Sequence, residues 1–85
     1  MPGYSLELYL PRGQAAALDD AAARARRAAE ELSREGTPVR YLRSLYLSED
    51  EICFHVFEAP SRESVAEAAR RAGLDDSRIT ETIER

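Results

Sequence analysis

Twice along this chain, a stretch with apolar residues at every second position gives way to an alanine-rich stretch with apolar residues three and four apart. That switching of period limits the possible folds more than any other property, because a strand and a helix cannot share one pattern. Tyr4, Leu6, Leu8 and Leu10 alternate with Ser5, Glu7 and Tyr9, until Pro11, Arg12 and Gly13 break the run. From Ala15 to Glu35 the residues are mostly Ala, Arg and Glu, which are strong helix formers. Leu18, Ala22, Ala25, Ala29 and Leu32 form one stripe of this helix, and Gly36 and Pro38 end it. Val39 to Ser48 and Glu51 to Ala59 read as a strand pair about a short polar turn. In the first of the pair, Val39, Tyr41, Leu45 and Leu47 compete with Leu42 and Tyr46, so a bulge or two partly covered faces are expected. In the second, Ile52, Phe54 and Val56 share one face, and Cys53, His55 and Phe57 the other. Ser61 is placed to cap a second helix with Val65, Ala68, Ala69 and Ala72 on its apolar side. Gly73 and Leu74 stop it, and a last strand runs from Arg78 to Glu84.

The order β-α-β-β-α-β predicts an α+β chain of the ferredoxin-like kind. It implies a four-stranded antiparallel sheet with the first and third strands central and both helices on one face. Residues 1–85 are read as a single domain with room for one core. Hydrophobic residues make up 44 %, but so many are alanine that the large core side chains must come from the strands. The net charge of −4 argues against nucleic acid as a partner. Arg24, Arg26, Arg27 and Arg34 are interleaved with Glu30, Glu31 and Glu35, the pattern of a solvated, ion-paired helix face. No signal peptide or apolar run of membrane-spanning length is recognisable, so no membrane partner is expected. Cys53 is the only cysteine, which excludes an intrachain disulfide and fits a reducing cytoplasm.

Function should then lie on the sheet face that the helices leave open. With Cys53, His55 and Phe57 assigned to that face, Glu7 and Tyr9 of the neighbouring central strand stand beside them. An aromatic and apolar surface on so small a domain favours pairing of two identical chains through it, as a homodimer. Three readings compete. In the first, Phe57, Tyr9 and Cys53 are interface core, and Glu7 and His55 satisfy each other. In the second, His55, Cys53 and Glu7 bind nickel or another divalent transition metal, although one His and one Cys fall short of the usual ligand count. In the third, His55 is a general base or Cys53 a nucleophile in a pocket between paired sheets. No triad, phosphate loop or paired-carboxylate signature accompanies it.

The run Cys53-Phe54-His55-Val56-Phe57-Glu58-Ala59-Pro60 leads into the second helix, with Val39 to Leu47 before it and Arg78 to Glu84 after it. Over nearly its whole length the chain resembles a family of small actinobacterial-type proteins of unknown function that includes nickel-binding members. The resemblance implies a ferredoxin-like fold, pairing into a dimeric α+β barrel, and binding of a metal or ligand without an established reaction. Nickel-binding members of that family carry an acidic residue and a His on the first strand, and further His on the helices. Here Glu7 matches the acid, Tyr9 stands in the His position, and Ala68 and Ala69 occupy the second helix where an imidazole is expected. The functional expectation is a non-catalytic dimeric protein holding a metal at His55, Cys53 and Glu7, or a small ligand at Glu7, Tyr9 and Phe57. The alternative is a cofactor-independent dimeric-barrel enzyme of oxygenase or isomerase type.

Overall fold

The computed structural model describes residues 1–83. Its elements are β1 (Gly3–Tyr9), α1 (Ala15–Arg34), β2 (Arg40–Leu47), β3 (Ile52–Glu58), α2 (Arg62–Arg71) and β4 (Arg78–Thr82). The expected continuation of the last strand to Glu84 lies outside the described residues. All four strands join one antiparallel sheet in the order β2-β3-β1-β4. The first and third strands are therefore central, and the ferredoxin-like α+β arrangement is the one observed. Among the described residues no helix is long and apolar enough to cross a membrane.

Both helices lie on the same flank. Ala25, Ala28, Ala29 and Leu32 of α1 and Val65, Ala68 and Ala69 of α2 share one core with Tyr4, Leu6 and Phe57 of the central strands. Alanine stripes let the helices approach the sheet closely but supply little area. The bulk comes from below, where Leu6 and Phe57 are both 0 % exposed; each such side chain contributes about 1.5–3 kcal/mol of burial. The stripe on α1 is turned slightly from the expected one, since Ala21 and Ala28 are buried while Leu18 and Ala22 are only half-buried. α2 is capped as its sequence implies. The Ser61 hydroxyl accepts from the Ser64 amide at 3.2 Å. Gly73 takes a left-handed φ of 72°, so that the Leu74 amide can donate to the Ala69 carbonyl at 2.7 Å.

The face of β3 that meets the helices is the opposite of the expected one. Tyr4 pairs with Phe57, Leu6 with His55 and Leu8 with Cys53, and directly opposed residues share a face. Because β1 turns Tyr4 and Leu6 into the core, Cys53, His55 and Phe57 go under the helices with them, at 5 %, 0 % and 0 % exposure. Glu7 pairs instead with Phe54, and Tyr9 with Ile52, on the open flank. In β2 the register shifts between Tyr41 and Arg43, which makes Leu42 the extra residue of a bulge. The bulge puts Tyr41 and Ser44 on the same side of the sheet, both beneath α1, opposite Phe57 and His55 respectively.

Candidate functional site

The buried end of β3 carries the chemistry of this chain. The His55 ring is fully enclosed, and its Nδ1 lies 2.6 Å from the Ser44 hydroxyl. That hydroxyl lies 2.5 Å from the phenol oxygen of Tyr41. Imidazole, serine and tyrosine therefore form a continuous hydrogen-bonded row leading from the core toward the α1–β2 surface, where the Arg26 guanidinium sits over the Tyr41 ring at 5.0 Å. The row accounts for the polar nitrogen that burial would otherwise leave unsatisfied. On the other side of the ring, Nε2 faces Cys53 Sγ at 3.9 Å, a long contact to a weak partner.

Burial holds His55 below the ordinary 6.5 of an imidazole, and the positive charge of Arg24 adds to the effect. Burial likewise pushes the Cys53 thiol above 9.0, only partly countered by hydrogen bonds from the backbone at Cys53 and Leu8. At neutral pH the pair is thus a neutral imidazole beside a protonated thiol. Neither a thiolate nucleophile nor an imidazolium–thiolate ion pair forms from groups poised in this way.

A cavity of about 160 Å³ opens beside these two groups, under the first turns of α1. Leu8, Leu10, Leu18, Ala21 and Leu74 give it aliphatic walls, and Cys53, His55 and Arg24 supply its polar atoms. Arg24 is committed elsewhere: Nε donates to Asp20 at 3.0 Å and Nη1 to the Ala72 carbonyl that ends α2. The rim is tied down by the loops. The Leu10 amide donates to the Glu51 carbonyl at 2.8 Å, the Tyr46 hydroxyl to the Leu10 carbonyl at 2.9 Å, and the Arg12 guanidinium to the Ser48 and Glu49 carbonyls. Larger hollows are open surface grooves: one of about 600 Å³ between α1 and β2, lined by Arg26 and Tyr41 at the outer end of the row, and one of about 320 Å³ near Gly3 and Thr82.

Of the residues proposed from sequence, then, the fold brings Cys53 and His55 together and separates them from Glu7 by the thickness of the sheet. Tyr9 is 70 % exposed on the open flank, and Phe57 is core. Glu7 and His55 do not satisfy each other; Ser44 is the partner of His55, and sequence reasoning missed it. The signal was present, since Ser44 is a small polar residue among large apolar ones in β2, but it is meaningful only once the bulge is known. As a metal site the surviving donors fit poorly. Cys53 and His55 are two ligands, nickel or zinc usually takes three or four from protein, and no group of three His, Cys, Asp or Glu among the described residues is arranged to hold an ion.

The open flank is the other candidate surface. Leu45 and Leu47 of β2 are 47 % and 42 % exposed, and in register with Phe54 and Ile52 of β3. With Ile52, Phe54 and Tyr9 they form an apolar strip that no helix covers, while Val56 on the same flank is itself buried.

Sheet order, helix placement and this buried Cys–His pair define a small ferredoxin-like α+β protein whose polar groups are held inside its own core. More narrowly, the chain belongs to the family described as nickel-responsive protein SCO4226-like, whose model matches residues 9–82. No curated protein and no solved structure matches the chain.

Proposed function

We propose that the protein is a homodimeric binding protein rather than an enzyme, closing the open flank of its sheet against a second copy. It keeps the scaffold of the nickel-responsive family without a complete nickel site within one chain. The observation that carries the reading is the strip formed by Leu45, Leu47, Ile52, Phe54 and Tyr9, apolar on a flank that neither helix covers. Two such sheets packed face to face bury each other's strips, and an isologous contact of that kind needs no second type of partner.

The family's name connects it with nickel, and that association reaches this chain through its scaffold more than through its donors. Glu7 stands on the flank that the dimer buries, and Cys53 and His55 stand on the other, so pairing does not unite them. For the enzyme alternative, the hollow beside Cys53 and His55 is about 160 Å³, below the roughly 300 Å³ at the low end of ligand sites, and burial shifts its imidazole and thiol away from activation. A reducing cytoplasm suits the single thiol.

The test has two arms on the same preparation. Sedimentation equilibrium is expected to give twice the chain mass. Titration with nickel and zinc, followed by elemental analysis, is expected to show no stoichiometric retention. One nickel retained per chain and lost in His55→Ala would overturn the metal half of the proposal. A monomer at all concentrations would overturn the dimer.

A further inference from the structure

We infer that the groove between α1 and β2 binds an elongated organic dianion, an α,ω-dicarboxylate, with one acidic group held at each end. The groove offers about 600 Å³, within the roughly 300–1,000 Å³ of ligand sites, and lies on the helix flank, away from any contact between open sheet faces. A protein of net charge −4 concentrates positive charge here: Arg26, Arg34 and Arg40 line the groove against the single carboxylate of Glu30. All four side chains are exposed, so their charged ends meet a ligand arriving from solvent.

Contacts within the chain fix the two ends. At one, the Ser33 hydroxyl donates to the Val39 carbonyl at 2.9 Å and accepts from the Val39 amide at 3.3 Å, which pins the last turn of α1 to the entry of β2. Arg34 and Arg40 each follow one of these tied residues in sequence. At the other end, the Arg26 guanidinium sits over the Tyr41 ring at 5.0 Å. Among the described residues neither Arg26 nor Arg34 is in an ion pair. Arg40 gives one N–H to Glu58 at 3.1 Å and keeps the other donors of its fork.

Spacing then sets the shape of the ligand. Arg26 and Arg34 are eight residues apart, about 12 Å along α1. Glu30, one turn from each, is paired with neither, so the two guanidinium groups are not drawn together at the middle. A negative charge placed at that middle would also be repelled by Glu30. Two carboxylates joined by a chain fit the arrangement, whereas a monoacid leaves one end unmet. The half-buried Tyr41 ring and the methylene stems of the arginines give the joining chain an apolar surface.

The experiment titrates the full-length ¹⁵N-labelled protein at low salt with three probes, suberate, octanoate and succinate, and follows the backbone amides. Suberate is expected to move the amides of Arg34, Arg40 and Tyr41 saturably, with one site per chain. Octanoate has the same length and one charge fewer, and succinate has both charges but reaches only one end. Each is expected to bind about fivefold more weakly, the loss of one exposed ion pair. Arg26→Gln and Arg34→Gln should each weaken suberate by a similar factor. Arg27→Gln, an equal loss of charge at an exposed position of the same helix outside the groove, should leave it unchanged. No saturable shift with suberate, octanoate or succinate binding as tightly as suberate, or Arg27→Gln weakening it as much as Arg34→Gln would each overturn the inference. All but the last are read on the wild-type protein and do not depend on a variant folding.

Discussion

A histidine with no exposure to water is held here by one small hydroxyl, and that makes Ser44 the residue on which the interior most depends. Ser44→Ala removes the partner of Nδ1 and leaves a buried polar nitrogen unpaired. The expected loss is about 1–3 kcal/mol in chemical denaturation, and Ser44→Thr, which keeps the hydroxyl, should recover part of it. The same ring sets a pH dependence. Its folded-state value lies below 6.5, so between that value and 6.5 the unfolded chain binds a proton that the folded chain refuses. Stability is therefore complete above about pH 6.5 and declines as pH falls, at a limiting slope of about 1.4 kcal/mol per pH unit. The carboxylates with lowered values, Glu35 and Glu67, start from 4.5 and begin to act only below it, so the decline between pH 6.5 and 4.5 belongs to His55. Urea midpoints measured across that range on wild type and on His55→Gln, which has no proton to gain, check the assignment. Parallel slopes for the two proteins would refute it.

At the scale of elements, the two helices are fastened to each other by charge as well as by alanine packing. Arg71 of α2 donates to both carboxylate oxygens of Glu35, just beyond α1, at 2.8 Å, and to Glu67 of its own helix at 2.8 Å, with Glu31 3.6 Å away. Hydrogen bonds from Arg70 and then Arg71 pull Glu67 from 4.5 down to about 2, and Arg71 does the same in direction for Glu35. Depressed carboxylates contribute stability that is present above pH 4.5 and lost as pH falls toward about 2. The melting temperature of wild type is thus expected to fall across that window, and to fall less steeply in Arg71→Met or in 1 M salt, where the cluster is removed or screened. Equal slopes in all three conditions would show the cluster to be idle. The interleaved charges of α1 predict ion pairs along that helix; Arg24 makes one with Asp20, whereas Glu31 and Glu35 turn to Arg71 of α2. Element types, strand order, the Ser61 cap and the Gly73 stop were all readable, because each depends on residues a few positions apart. The face of β3 was not. Ile52, Phe54 and Val56 make as good an apolar set as Cys53, His55 and Phe57, and only pairing with a strand more than forty residues away decides between them. A one-residue change of register exchanges the two sets, and with them the whole candidate site.

For the molecule as a whole, that exchange gives the dimer proposal a sharp form. Had Phe57 lain on the open flank, Phe57→Asp would have been the substitution that separates two copies. In the fold observed, Phe57 is 0 % exposed and packs edge-on against Tyr41, with ring centres 5.8 Å apart. A carboxylate there has no partner and no water, and a domain this small has little stability to spare, so Phe57→Asp is expected to unfold the chain. Phe54, three residues earlier in β3, points to the other flank between Glu7 and Leu45. In a free monomer Phe54→Asp is tolerable, since the new charge reaches water; between two packed sheets it is not. The prediction is a folded monomer for Phe54→Asp, with helical circular dichroism retained and a melting temperature independent of protein concentration. Wild type, by contrast, should melt higher as concentration rises, because association stabilises the folded state by mass action. If Phe54→Asp sediments as a dimer with unchanged concentration dependence, the contact between copies lies elsewhere and the open flank is exposed in the assembly. If wild type shows no concentration dependence and the mass of one chain, then the apolar strip is borne by a monomer, and the pairing proposed from it fails.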